Sequence, residues 1–197
     1  DFEAELADLD AFLTTAENLL PDESLLGERL ERARVLGRLG RYEEAESQLR
    51  AVLAQAEHQG SLRWQVSTRL AHANILFSQD RRTEAIAEVT GVMMDAMELG
   101  DSYPRYAHSL LAQFYAMDDG QREEAQANLS VALEYADTDE GPYSRATTYE
   151  MAANLHYMFD EIPESVIRMQ RAAALYTELE QFEDSARALM QLGMLEL

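Results

Sequence analysis

The chain has 197 residues, of which 47% are hydrophobic, and it contains no cysteine. Its 37 acidic and 16 basic residues give a net charge of −21, and every basic residue is an arginine. This charge disfavours direct binding to nucleic acid or to an anionic membrane, because the phosphate groups would repel the protein. The lack of cysteine excludes disulfides, thiolate metal sites and thiol nucleophiles, and it is compatible with the cytoplasmic location that we expect.

A period of 40 residues organises the sequence. Small side chains recur at this step at Ala45, Ala85, Ala125 and Ser165. The same step carries apolar side chains through Leu49, Val89, Leu129 and Met169. Such a period is typical of a repeat array, in which each unit buries its apolar face against its neighbours. Arrays of this kind present long surfaces to other molecules and are seldom built for catalysis.

In chain order, the pattern predicts ten helices. A first helix covers residues 3–19, four helical hairpins cover about 24–59, 61–99, 102–137 and 143–180, and a last helix begins near 182. We expect Gly60, Gly100 and Gly141 to end hairpins, because glycine tolerates the positive φ of a helix stop. Loops of about two to five residues make neighbouring helices antiparallel.

The same register predicts a single solenoid domain over residues 1–197. It consists of a half unit at 1–22, units at about 24–60, 61–100, 101–140 and 141–180, and a half unit at 181–197. The half units indicate a piece of a longer array. Because such ends expose apolar faces, we also expect homodimers through the ends of the array as one outcome.

The residues within each unit resemble the tetratricopeptide repeat, which is a helix–turn–helix motif. The clearest copy is Ala33–Leu36–Gly40-Arg41-Tyr42-Glu43-Glu44-Ala45. Weaker copies are Ala73–Leu76–Asp80–Ala85, Ala112–Tyr115–Gly120–Ala125 and Ala153–His156–Ser165. The units are longer than the usual period of about 34, the motif proline is missing, and the tyrosine is replaced by Arg82, Arg122 and Ile162. The sequence is therefore most similar to the long-unit variety found in kinesin light chains and in MalT-like bacterial regulators.

The resemblance implies an all-α fold, an antiparallel helix-hairpin solenoid that forms a right-handed superhelix. It also implies that the first helices of the units line a concave groove, into which the residue after each small one points. The resulting peptide-binding residues are Arg34, Arg38, Asn74, Phe77, Gln113, Met117, Asn154, Tyr157 and Met158. The amides can bind the backbone of an extended peptide, and the methionines give an adaptable floor. Gln113 belongs to this set only if the period is one residue short here, so that Ala112 takes the place of the small residue and Gln113 follows it.

These features predict a non-enzymatic scaffold that binds a peptide or a helix of another protein. The alternative is a ligand- or peptide-sensing domain of a larger signalling or transcriptional regulator. We expect no cofactor, no metal and no catalytic residues, because the four histidines lie at unrelated positions of their units and no known ligand spacing, phosphate loop or nucleophile elbow is present. No membrane partner is expected either.

Overall fold

The computed structural model describes residues 1–17, 19–20, 22–100, 102–138 and 141–195. These residues form eleven α-helices and two short 3-10 helices, Asp22–Leu25 and Asp119–Gln121, without a β-strand. The α-helices are α1 (Phe2–Ala16), α2 (Leu26–Arg38), α3 (Tyr42–His58), α4 (Leu62–Ser78), α5 (Arg82–Gly91), α6 (Met93–Glu98), α7 (Ser102–Ala116), α8 (Arg122–Thr138), α9 (Pro142–Met158), α10 (Ile162–Glu178) and α11 (Phe182–Leu195). None of the described helices is both long enough and apolar enough to cross a membrane.

The helices form two compact units, Asp1–Leu99 and Gly100–Leu197. In the first unit, α2 pairs with α3, and α4 pairs with the α5–α6 segment. In the second unit, α7 pairs with α8, α9 pairs with α10, and α11 packs against α10. We call α2, α4, α7, α9 and α11 the first helices, and α3, α5–α6, α8 and α10 the second helices. The predicted hairpins are thus confirmed, whereas the prediction of one domain over the whole chain stays a prediction.

The small residues of the period lie where the paired helices meet. The fully buried members are Ala33, Ala73, Ala112 and Ala153 on the first helices and Ala45, Ala85, Ala125 and Ser165 on the second helices. Small side chains allow helix axes to approach to about 8–10 Å. The sequence period therefore marks the contacts that hold each hairpin together.

The turns follow the period as well. Residues with positive φ lie within the hairpins at Gly40, Asp80 and Asp160 and between them at Gly60, Gly100 and Glu180. The predicted helix stops at Gly60 and Gly100 are confirmed. The predicted stop at Gly141 is wrong, because Gly141 has a φ of −80° and precedes α9 as its N-cap residue. It takes the place that Ser61 holds before α4, and residues 139–140 lie outside the described residues.

Two local departures from the period change the helices. The second helix of the second hairpin is interrupted at Val92, whose N–H donates to the Val89 carbonyl oxygen at 3.2 Å in a tighter turn. A Cβ atom at Gly91 would lie 3.0 Å from Arg69 Nη2, so glycine permits a close approach there. This break explains why eleven helices are present where ten were predicted. In the second unit, α7 ends two residues early relative to the period. Ala112 is fully buried, as Ala73 and Ala153 are, so the buried small residue of α7 comes one residue before the position that the period gives.

Candidate functional site

In the first unit, the predicted arginines are engaged in ion pairs. Arg34 Nη1 lies 3.1 Å from Glu31 Oε2. Arg38 Nη2 lies 2.9 Å from Glu31 Oε1 and 3.3 Å from Glu5 Oε1 on α1. The Arg38 guanidinium also stands over the ring of Phe2, with Cζ 4.7 Å from the ring centre. A ligand that used these arginines would have to displace two carboxylates of the chain itself.

The other two predicted residues of the first unit lie on α4 and are half-buried. Asn74 Nδ2 donates to the Leu70 carbonyl oxygen one turn earlier, at 3.4 Å. Phe77 lies three residues further along the same helix. Both side chains therefore have part of their surface within the unit, and only the remainder is available to a partner.

In the second unit, the predicted residues are exposed. Gln113 and Asn154 directly follow the buried Ala112 and Ala153 on neighbouring first helices. Met117 and Met158 come four residues later, with 53% and 51% of their surface exposed. Tyr157 is 58% exposed. Because α7 packs against α9 and these side chains occupy matching repeat positions, the structure places the five predicted residues of this unit on one face of its first helices.

Two further methionines extend this face on α11. Met190 is 72% exposed and Met194 is 67% exposed. Met194 lies one period after Asn154, so the period carries a signal for Met194 as well. Side chains join α11 to α9, since the Tyr143 hydroxyl donates to Asp184 Oδ2 at 3.3 Å. We call Met117, Tyr157, Met158, Met190 and Met194 the methionine surface.

Acidic side chains without a described basic partner border the methionine surface. Asp118 directly follows Met117, Asp160 lies two residues after Met158, and Glu183 lies at the start of α11; all three are exposed. No arginine or histidine of the described residues lies within ion-pair distance of them. The region bordering the methionine surface therefore carries uncompensated negative charge.

The arginines nearest to this surface are bound to carboxylates. Arg187 Nε lies 3.0 Å from Glu150 Oε1, and Arg187 Nη1 lies 2.8 Å from Asp184 Oδ1. The hydrogen bonds to Glu150 raise the pKa of Arg187 further. Arg122 Nη2 lies 2.7 Å from Glu161 Oε1. Because Arg187 and Arg122 are neutralised by these carboxylates, they do not offset the negative charge of Asp118, Asp160 and Glu183.

Arginines without a described carboxylate partner gather elsewhere in the second unit. Arg168 and Arg171 of α10 lie with Cζ 5.9 and 5.7 Å from the ring centre of Tyr149 on α9. Arg145 and Arg171 line an open groove of about 410 Å³ next to this ring, together with Asp137. Burial, and then the hydrogen bond from its hydroxyl to Asp137, raise the pKa of Tyr149. This groove lies between α8 and α10, on residues that are distinct from the methionine surface.

One cluster of ionisable groups in the first unit includes a histidine and adjoins a cavity. Arg69 Nε lies 3.0 Å from Glu88 Oε1, and His72 Nδ1 lies 3.8 Å from the same oxygen. His72 and Arg69 together lower the pKa of Glu88 to about 2. The adjoining cavity measures only about 80 Å³, so it has room for little more than water. Within the described part of the chain, no group of three side chains is arranged to hold a metal ion.

Comparison with known proteins gives information about the fold. No protein-family model matches the sequence, and no curated protein matches it. The structure is similar to BtubC (BKLC) from P. vanneervenii, with a TM-score of 0.66 and 16% identity, over 99% of this chain and 91% of that one. It is also similar to a Podospora anserina chain described as a kinesin light chain with nearly identical TPR-like repeats, with a TM-score of 0.57 and 20% identity, over 90% of this chain and 97% of that one. The chain thus has the fold of the TPR-like helical repeat solenoids.

Proposed function

We propose that the chain is a non-enzymatic protein-interaction scaffold that holds a peptide or a helix of another protein against the exposed face of its first helices. One observation carries the proposal: Met117, Tyr157 and Met158 are more than half exposed on neighbouring helices. Exposed apolar side chains grouped on one face are a mark of interaction surfaces. The adaptable methionine side chain suits partners of varied shape.

The amides of Gln113 and Asn154 add hydrogen-bonding capacity beside the apolar side chains. Each amide offers a donor and an acceptor, which match the carbonyl and N–H groups of a peptide backbone. In the first unit, Asn74 supplies the same chemistry in part, since its Nδ2 atom already bonds to the Leu70 carbonyl oxygen. We therefore assign the main binding role to the second unit.

The experiment is a selection of binders from a displayed random peptide library, followed by titration of the selected peptides against variants. We expect Met158→Ser and Asn154→Ala to weaken binding by at least about fivefold, because buried methionine contributes about 1.5–3 kcal/mol and a hydrogen bond about 1 kcal/mol. The matched control is Ile167→Ser on α10, because Ile167 and Met158 have the same exposed fraction, 51%.

Equal binding by all variants would place the contact away from the first helices and contradict the proposal. The alternative is a sensing domain of a larger regulator, in which the same face takes a small ligand. That role is favoured if no peptide is selected and a metabolite library yields a ligand that Asn154→Ala weakens.

A further inference from the structure

We infer that the methionine surface binds a basic amphipathic α-helix of another protein. This inference rests on the proposed function and adds to it the class of partner. Two independent observations carry it, namely the spacing of the apolar side chains across neighbouring helices and the charge that surrounds them.

The spacing of the methionines fits the repeat of a helix. Met117 and Met158 occupy matching positions of α7 and α9, which pack against each other. Neighbouring helix axes lie about 8–10 Å apart. A partner helix that crosses them advances about 10 Å in seven residues. It would therefore place apolar side chains at i and i+7 on the two methionines, and Tyr157 adds exposed apolar surface beside Met158 on α9. On α11, Met194 holds the repeat position of Asn154, one helical turn before the position of Met158, and adds exposed apolar surface to the same face.

The charge around the surface selects a basic partner. Asp118, Asp160 and Glu183 are exposed and have no basic partner among the described residues. The first two follow the C-terminal ends of α7 and α9, where the partial negative charge of the helix dipole adds to theirs. The second unit as a whole contains eighteen acidic and six basic residues. Lysine or arginine that flanks the apolar stripe of the partner would meet these carboxylates, which raises the association rate and fixes the orientation.

The same charges argue against two other occupants. A second copy of this chain would bring another net charge of −21 to the interface, and an acidic peptide would meet Asp118 and Asp160 with like charge. Like charges brought together across an interface cost several kcal/mol. Both occupants are therefore disfavoured at this surface, and the experiment includes each of them as an outcome.

The test uses three labelled helical peptides of about 18 residues, a length that spans three neighbouring helices. The first carries leucines at i, i+4 and i+7 with lysines on the flanking positions. The second keeps the leucines and replaces each lysine by glutamate. The third keeps the composition of the first and scrambles the order. We expect the basic peptide to bind at least about tenfold more tightly than either of the others, and its affinity to fall with added salt.

The protein variants locate the site. Met117→Gln/Met158→Gln keeps the side-chain length and removes the apolar contact, and we expect a loss of at least about tenfold. The matched control is Met94→Gln/Met97→Gln in the first unit, whose methionines are 75% and 52% exposed on α6. Asp118→Asn/Asp160→Asn removes the two charges with little change in structure. The side-chain oxygen of asparagine at 118 can still accept the Gly120 N–H, and asparagine tolerates the positive φ of residue 160. We expect this variant to bind several-fold more weakly and with a smaller salt dependence.

The outcomes separate this inference from the proposed function. The glutamate peptide could bind as tightly as the lysine peptide, with the binding of both abolished by Met117→Gln/Met158→Gln. In that case the basic class of partner is wrong and the scaffold function stands. If the methionine variant and its control bind the basic peptide equally, the site assignment is wrong. If no helical peptide binds, and if Met158→Ser and Asn154→Ala do not change the affinity for the library-selected peptides, both proposals are wrong. Self-association that the methionine variant abolishes would assign the surface to a second copy.

Discussion

The two units of the chain use the same hairpin but present different chemistry on their first helices. Arg38 and Ser78 stand in the first unit at the repeat positions that Met117 and Met158 hold in the second. Arg38 is exposed and its guanidinium is paired with Glu5 and Glu31, whereas both methionines expose apolar side chains. The buried positions of the repeat keep small or apolar side chains in most copies, although Tyr176 replaces an alanine. The period therefore constrains only the side chains that pack between helices, and the residues on the exposed face can differ from one unit to the other.

Overpacking a hairpin should give the largest change in the free energy of unfolding, and it should show whether the two units unfold separately. Ala85 and Ala125 are both fully buried between paired helices. Leucine at either position adds three carbon atoms to a packed contact, at a cost of about 1–3 kcal/mol in the free energy of unfolding. We expect hydrogen exchange to accelerate mainly within 1–99 for Ala85→Leu and mainly within 100–197 for Ala125→Leu. Equal acceleration in both units by either variant would show that they unfold as one.

Removing one buried hydroxyl should weaken the second unit. Tyr176 is fully buried where the earlier units have alanine, and its hydroxyl donates to Glu150 Oε2 at 2.8 Å. Because the acceptor is charged, we expect Tyr176→Phe to lower the free energy of unfolding by about 1–2 kcal/mol in urea titrations. The matched control is Tyr42→Phe in the first unit, whose hydroxyl bond to the Ser78 carbonyl oxygen is exposed and 3.3 Å long. An equal loss in both variants would contradict this explanation.

The first unit should respond to acid through Glu88. Its pKa is lowered from 4.5 to about 2 in the folded protein by His72 and Arg69. A lowered pKa stabilises the fold above the unfolded-state value, and this contribution is lost as the pH falls from about 4.5 to about 2. We expect Glu88→Gln to cost about 1 kcal/mol at pH 7, after allowing for solvent screening, and the difference from wild type to shrink below pH 4.5. A difference that is constant from pH 7 to pH 3 would contradict the assigned pKa.

Giving the first unit the methionines of the second should have the smallest effect on stability. Arg38 is exposed, and its ion pairs belong to a class that contributes about 0–1 kcal/mol. We expect Arg38→Met/Ser78→Met to change the free energy of unfolding by less than about 0.5 kcal/mol. The variant also leaves Glu5 and Glu31 beside position 38, so that one of the new methionines has acidic neighbours, as Met117 has in the second unit. Calorimetric titration with the basic helical peptide should then show a second, weaker site, and an unchanged stoichiometry would mean that methionine and acid together are insufficient.

Much of the fold could be predicted because the period records backbone packing. Ala33, Ala73, Ala112 and Ala153 were recognisable as contact positions, and all four are fully buried. The break at Val92 was not predicted, because Val92 holds the same apolar repeat position as Val52, through which α3 continues without interruption. Gly141 was misassigned because a glycine can serve as the stop of one helix or as the start of the next, and only its φ distinguishes the two.

The sequence alone is enough to predict the repeat length, the pairing of helices into hairpins and the residues that could line a binding face. Which of those residues are available to a partner depends on contacts that form only in the folded chain. Arg34 and Arg38 are bound to carboxylates of their own unit, Asn74 is partly engaged with its own helix, and the methionines of the second unit are exposed. The physical reason is that burial between paired helices repeats with the chain, and so leaves a periodic signal. Ion pairs such as Arg38–Glu5 join residues from different helices and do not recur with the period, so the period does not predict them.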